Sequence, residues 1–216
     1  MAVTEREPLS RERIISAAIE LVDVQGLAGL SMRKLGAAVG VEAMSLYNHV
    51  DNKEDLLDGM LDAVLREVPI PDASLPWEQR LRLIAQGFRK AGLDHPGVLP
   101  MFNSRRIESA DAFAAIAAIH EILREVGFDE ESALDAFVFV ASFIAGYIQI
   151  DMGRISMSTE GRVTDYASWD PAAHPSEVQL GLGLMKRDWD TEYDRCIGLL
   201  VSGLVALADG AVSDPG

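Results

Sequence analysis

Only one cysteine, Cys196, occurs in the 216 residues, which excludes an internal disulfide framework and any zinc site built on cysteine pairs. Aromatic residues make up 6%, and 19 basic residues face 34 acidic ones for a formal net charge of −15. That balance repels polyanions, so a nucleic-acid partner requires its cations to be concentrated at the contact. Charged residues crowd Met1–Arg13 before any apolar run begins, unlike a signal peptide, and a cytoplasmic protein is expected. The most apolar late stretch, Cys196–Ala208, falls well short of the roughly 20 residues that cross a bilayer, so no membrane partner is expected. Runs of alternating apolar and polar residues are also lacking, which argues against strands. What is present is 49% hydrophobic and 25% charged residues, enough to bury a core.

The spacing of apolar residues predicts an all-α fold. Ser10 caps a first helix over Arg13–Val24, with Ile14, Ala18, Leu21 and Val22 on one face and Gly26 at its end. A second, short helix runs from the cap Ser31 to Gly40, and a third covers Glu42–His49 after a tight turn. Asp51 or Asn52 caps a fourth that reaches about Val68. Two short helices hinged at a glycine and braced by a third follow the helix-turn-helix pattern, here at about 31–49. Prolines 69, 71 and 76 mark a linker over 69–76. The expected division is therefore a DNA-binding domain over 1–68, a larger helical domain over 77–208 and a tail over 209–216. The larger domain holds helices over Trp77–Leu93, Val98–Phe102, Ser109–Val126, Asp129–Arg154, Ser176–Leu184 and Trp189–Ala208. Its longest loop is expected over Ile155–Pro175.

The run from Ser31 to Leu57, with its Leu35/Ala38/Gly40/Val41 turn spacing, its Leu46-Tyr47-Asn48-His49-Val50 helix ending and its Asn52-Lys53 helix start, resembles the DNA-binding module of the tetracycline-repressor (TetR) family. More loosely, the remainder resembles that family's ligand-binding and dimerising domain, including the Glu192-Tyr193 to Gly203-Leu204 ending. Together they cover nearly the whole chain.

The resemblance implies that Tyr47 and His49 donate to phosphate oxygens and fix register without reading sequence. Lys53, in the first turn of the fourth helix, suits an anion by its charge and by the free amides around it. Arg33 is the expected base reader, because its guanidinium fork matches guanine O6 and N7. Ser31 and Ser45 offer hydroxyls to phosphates, and Asn48 completes the contacting set. Tetracycline-responsive members place a glutamine and a proline where Ala43 and Met44 stand, so contact with a thymine methyl replaces hydrogen-bond readout there. Glu42 either accepts from cytosine or stabilises the helix dipole. Residues 1–66 carry seven basic and eleven acidic side chains, net −4, which predicts a modest salt slope of DNA binding.

In the larger domain the resemblance places Phe88 and Arg105 on a ligand pocket. It sets Met101 where the tetracycline-responsive pattern has a magnesium-bound drug's histidine, and Ile150 where it has an acid. Both replacements remove ligands that a hard cation requires, which argues against magnesium-tetracycline as the effector. The expected pocket is lined by Ile84, Phe88, Met101, Ile116, Leu134, Phe137 and Val138, with Arg105 and His120 as polar handles and Trp169, with Met157, as a lid. The last helix, apolar around most of its circumference through Ile197, Leu200, Val201, Leu204, Val205 and Leu207, needs two surfaces to cover it and predicts a homodimer on a palindromic operator.

The function expected is a ligand-responsive transcriptional regulator, a repressor released from its operator by a small molecule. A transcriptional activator on the same scaffold and a helical protein-interaction module without DNA binding are the alternatives. Nothing in the sequence suggests an enzyme or a cofactor: the four histidines, 49, 95, 120 and 174, have no metal-ligand spacing, and neither a phosphate loop nor a nucleophile elbow is present.

Overall fold

A computed structural model of the chain describes residues 8–213 apart from Asn103, Glu160, Arg162 and Val163, and excludes the side chains of Leu99, Ser156, Met157, Thr159, Ala167 and 209–213. Nine α-helices and no strand occur among the described residues. They gather into two compact units, Met1–Ser74 with Gln86–Ile119, and Leu75–Ala85 with His120–Gly216.

In the first unit the helix ends are set by side-chain caps. Ser10 Oγ accepts from the Arg13 amide at 3.2 Å and starts α1 (Arg11–Gln25), which closes at Gly26. Ser31 Oγ accepts from the Lys34 amide at the start of α2 (Met32–Val39), which ends on Gly40 in the left-handed conformation, φ 78°. A turn leads to α3 (Ala43–Leu46), and Asn52 caps α4 (Lys53–Leu65) by accepting from the Asp55 amide. Ile14, Ala18, Val22, Leu35, Leu46, Leu56 and Met60 are wholly buried. Each large member of that set stabilises the fold by roughly 1.5–3 kcal/mol relative to exposure. The unit also takes the C-terminal part of α5 (Trp77–Asp94), a single 3-10 turn over Leu99–Met101 and the first part of α6 (Ala110–Val126).

The second unit holds the rest of α5 and α6 with α7 (Glu130–Thr159), α8 (Pro175–Met185) and α9 (Trp189–Ser213). Tyr193 on α9 is buried and donates its hydroxyl to the Ala85 carbonyl at 2.8 Å, and its ring lies 4.7 Å from that of Tyr147 on α7. Arg80 is buried, donating to the Leu75 carbonyl and pairing with Glu125.

Several features differ from the sequence reading. The third helix is one α-helical turn continued as hydrogen-bonded turn to Val50, with the His49 and Val50 amides both donating to the Leu46 carbonyl. The helix α7 runs past Arg154 to Thr159, before Gly161 at φ 67°, and a 3-10 turn over Tyr166–Ser168 interrupts what was expected to be open loop. The compact units are also not consecutive stretches, because α5 and α6 each contribute to both. Finally, an apolar stretch that the reading of the late segment Cys196–Ala208 did not weigh lies at Glu130–Ile155 of α7, mean hydropathy 1.8. By length and composition alone it is long enough to cross a membrane.

Candidate nucleic-acid interface and effector residues

Close backbone packing sets the geometry of the helix-turn-helix. Gly36 of α2 has no room for a side chain: a Cβ there would lie 2.9 Å from the Val41 carbonyl oxygen and 3.1 Å from the Ala43 amide nitrogen. The Gly36 carbonyl also accepts from the Val41 amide at 2.9 Å, so α2 and the start of α3 are held against each other through the main chain. Arg13 reaches across from α1 to donate to the Val39 carbonyl at 3.3 Å.

A charged clamp ties the same elements together at their other end. Both guanidinium nitrogens of Arg11 donate to the Asp55 carboxylate, at 2.8 and 2.5 Å, and one also reaches the His49 carbonyl. The hydrogen bond from Arg11 holds the Asp55 carboxyl below its usual range against the opposing pull of burial, and the Arg11 pKa is raised in return. Asp55 also accepts from the Asp51 amide. One carboxylate therefore joins the start of α1, the turn that follows α3 and the start of α4. Sequence reading passed over Arg11 and Asp55, since 44 residues separate them and neither is among the expected contact residues.

On this frame the expected contact residues are presented outward. Arg33, Met44, Tyr47, Asn48 and Lys53 are exposed, Met44 to 75%, while Ser31, Ala43, Ser45 and His49 are partly covered. Arg33 has no hydrogen-bond or ion-pair partner among the described residues. Lys53 donates to the Leu30 carbonyl at 3.3 Å and Lys34 to Gln25 at 2.8 Å, leaving each ammonium two further protons for an anion. Ser31 spends its oxygen as a cap and still has a hydroxyl proton to donate. Glu42 sits at the start of α3 with no side-chain cap bond.

The acids of α4 are answered locally. Arg105 pairs with Glu54 and with Asp58 at 3.3 Å, and Arg66 lies 3.7 Å from Asp62. The Asp58 and Asp62 side chains are largely covered by these pairings, so the negative balance of the module is not spread evenly over its surface.

The remaining effector residues fall in both units. Phe88 and Met101 are buried in the first, where Ile116 is partly covered and Arg105 is engaged with the two carboxylates just named. In the second, Ile84 is buried, Phe137 is partly covered and His120 lies 3.6 Å from Glu130. Leu134 and Val138 are exposed on α7, and Trp169 is exposed with its ring centroid 5.4 Å from that of Tyr166, edge to face. The Met157 side chain lies outside the described residues. No group of three or more potential metal ligands occurs among the described residues.

Comparison with known proteins matches residues 14–60 to the family model of bacterial regulatory proteins, tetR family, and residues 70–204 to the tetracyclin repressor-like C-terminal domain. An HTH-type transcriptional regulator of Saccharopolyspora erythraea is 30% identical over 93% of this chain and 86% of its own. Tetracycline repressor protein class D of Escherichia coli is 32% identical over 65% of each chain. Among solved structures, Streptomyces coelicolor ActR in complex with actinorhodin is 25% identical, with a TM-score of 0.78 over 94% of this chain and 99% of its own.

Proposed function

We propose, since the chain belongs to the tetR family of bacterial regulatory proteins, that this helix-turn-helix transcriptional regulator is a cytoplasmic repressor, holding a palindromic operator as a two-fold dimer until a small molecule releases it. The observation that carries the reading is the outward display of Arg33, Met44 and Tyr47 on a frame locked by Gly36 and by the Arg11–Asp55 clamp. Base readout needs side chains that are free and a scaffold that does not move when they engage. Arg33 reads a guanine, Ala43 and Met44 meet thymine methyls, and Ser31, Ser45, Tyr47, Asn48, His49 and Lys53 contact the backbone.

The route from effector to operator runs through Arg105. Its guanidinium binds Glu54 and Asp58 of α4, and α4 carries the Asp55 that holds Arg11 and the turn that follows α3. A ligand that draws Arg105 away frees two carboxylates on α4 and biases that helix toward a second position. The ligand then binds the released state better than the operator-bound one, as coupling requires. ActR is described with actinorhodin and with (S)-DNPA, and the class D relative is a tetracycline repressor. In this chain Met101 and Ile150 offer no ligand to magnesium, so its effector is not a magnesium-tetracycline complex.

Selection of duplexes from a random pool by the purified protein, repeated with Arg33→Ala and at two salt concentrations, tests the reading. A palindrome whose enrichment vanishes in the variant is expected. No enrichment at low salt would move the function to a protein-interaction module.

A further inference from the structure

Within the second compact unit, the last turns of α7, the segment around Tyr166, the end of α8 and the start of α9 line an open cavity of about 500 Å³. That volume lies in the range of small-molecule sites. Ile150, Leu184 and Met185, all exposed apolar side chains, give it one greasy side. Tyr166 forms a fixed wall: its ring lies so close to Gly181 of α8 that a Cβ there would fall 2.3 Å from the ring.

The polar side is cationic. Arg154 donates to the wholly buried Asp151 at 2.8 Å, and its guanidinium carbon lies 5.2 Å from the centroid of the Trp189 ring. Its Nε is buried and has no hydrogen-bond partner among the described residues, so the guanidinium keeps unmet donor capacity beside the cavity. Arg187 also lines the cavity and shares Glu192 with Arg195, so one carboxylate answers two guanidiniums. Asp151 and Glu192 are both engaged, and neither offers a free carboxylate to a cationic ligand.

We propose that this cavity binds a flat aromatic molecule bearing a carboxylate or sulfonate, its ring against Trp189, Tyr166 and the apolar side, its anion accepting from Arg154 and Arg187. The cavity and Arg105 belong to different compact units, so the proposal adds a ligand site to the regulator proposed above and does not rest on the Arg105 route. Binding itself is measurable without DNA.

The test is calorimetric titration of the full-length protein with 2-naphthoate, and with uncharged 2-naphthylmethanol as its isostere. Naphthoate is expected to bind at least tenfold more tightly than the alcohol. Arg154→Gln should weaken naphthoate tenfold or more and leave the alcohol within twofold. Since that change removes an ion pair from the buried Asp151 and endangers folding, Ser158→Trp provides a second variant: Ser158 is exposed, lines the cavity and carries no bond in this network. A tryptophan there fills the space and should abolish both titrations without lowering the melting temperature. Absent binding to the wild type, as a second copy seated over the opening would cause, overturns the proposal. So does unchanged naphthoate binding in Ser158→Trp, or equal weakening of both ligands by Arg154→Gln. Operator retention by the unliganded protein is scored in parallel, so failure of the DNA reading is separable from failure of this site.

Discussion

At the scale of single residues, Arg33 and Gly36 do opposite things for the same interface. Arg33 is exposed and unpartnered among the described residues, so its removal should cost the fold little and, on the proposed reading, the DNA complex much. Arg33→Ala should lose about 1–3 kcal/mol of affinity for the selected operator, the worth of one good bidentate base contact, and little on random DNA. Fluorescence anisotropy with both duplexes decides it; an equal loss on both would make Arg33 a phosphate contact instead. Gly36 acts through what it lacks. Alanine favours a helix interior by about 1 kcal/mol over glycine, but a Cβ here would press on the main chain at Val41 and Ala43. Backbone cannot rotate away, and overpacking of this kind costs typically 1–3 kcal/mol, so the clash wins. Gly36→Ala should lower the melting temperature and weaken operator binding, whereas a higher melting temperature would show that α2 has space at the turn.

Among elements, the join between α1, the residues just past α4 and the segment after α5 is held by one imidazole. His95 Nδ1 lies 3.0 Å from Asp23, its Nε2 lies 3.2 Å from Glu67, and the Gly97 amide donates to the same Asp23. Gly97 sits so close that a Cβ would lie 2.3 Å from the Val22 carbonyl oxygen. Burial pulls the His95 pKa down, but the Asp23 hydrogen bond and the nearby Glu67 and Asp23 charges outweigh it, and the net shift is upward from 6.5. A raised native pKa means that the imidazolium stabilises the fold fully below the unfolded value and that this stabilisation is lost as pH rises through the native one. The melting temperature should therefore fall as pH climbs above about 6.5, and His95→Gln should flatten that dependence; an equally steep fall in the variant would place the titrating group elsewhere. Nothing in the sequence marks this latch, since Asp23 and His95 stand 72 residues apart. What the sequence made legible was local. Ser10, Ser31 and Asn52 advertise helix starts because a cap acts over three residues, and the helix-turn-helix is readable because its run is contiguous. The far end of α7 was not readable: Ser156, Ser158 and Thr159 are weak helix formers that the helix nevertheless includes. Arg105, read as a ligand handle, has its partners on α4, and such pairings are set by tertiary structure.

For the whole molecule, the two long apolar helices raise a question of what covers them. Ile197, Leu200, Val201 and Leu204 of α9 are buried within the chain, while Leu199 and Leu207 remain exposed to 74% and 59%. On α7, Leu134, Val138 and Phe139 are likewise exposed, and only 28% of its most apolar window is buried inside the chain. An apolar face that large marks an interface, and in the dimer proposed above a two-fold partner covers it with a copy of itself. Replacing Leu199 and Leu207 with aspartate costs an isolated chain almost nothing, because both side chains already meet water. In a dimer the same change buries four carboxylates. Sedimentation equilibrium should then show the variant at half the wild-type mass with its helical content intact. Operator affinity should fall by orders of magnitude, since a second recognition helix tethered to the first binds at a high effective concentration and typically adds 10²–10⁴. A variant that keeps the wild-type mass would remove α9 from the interface. A wild type that instead partitions onto uncharged lipid vesicles would show that the exposed face of α7 is covered by lipid rather than by a second chain.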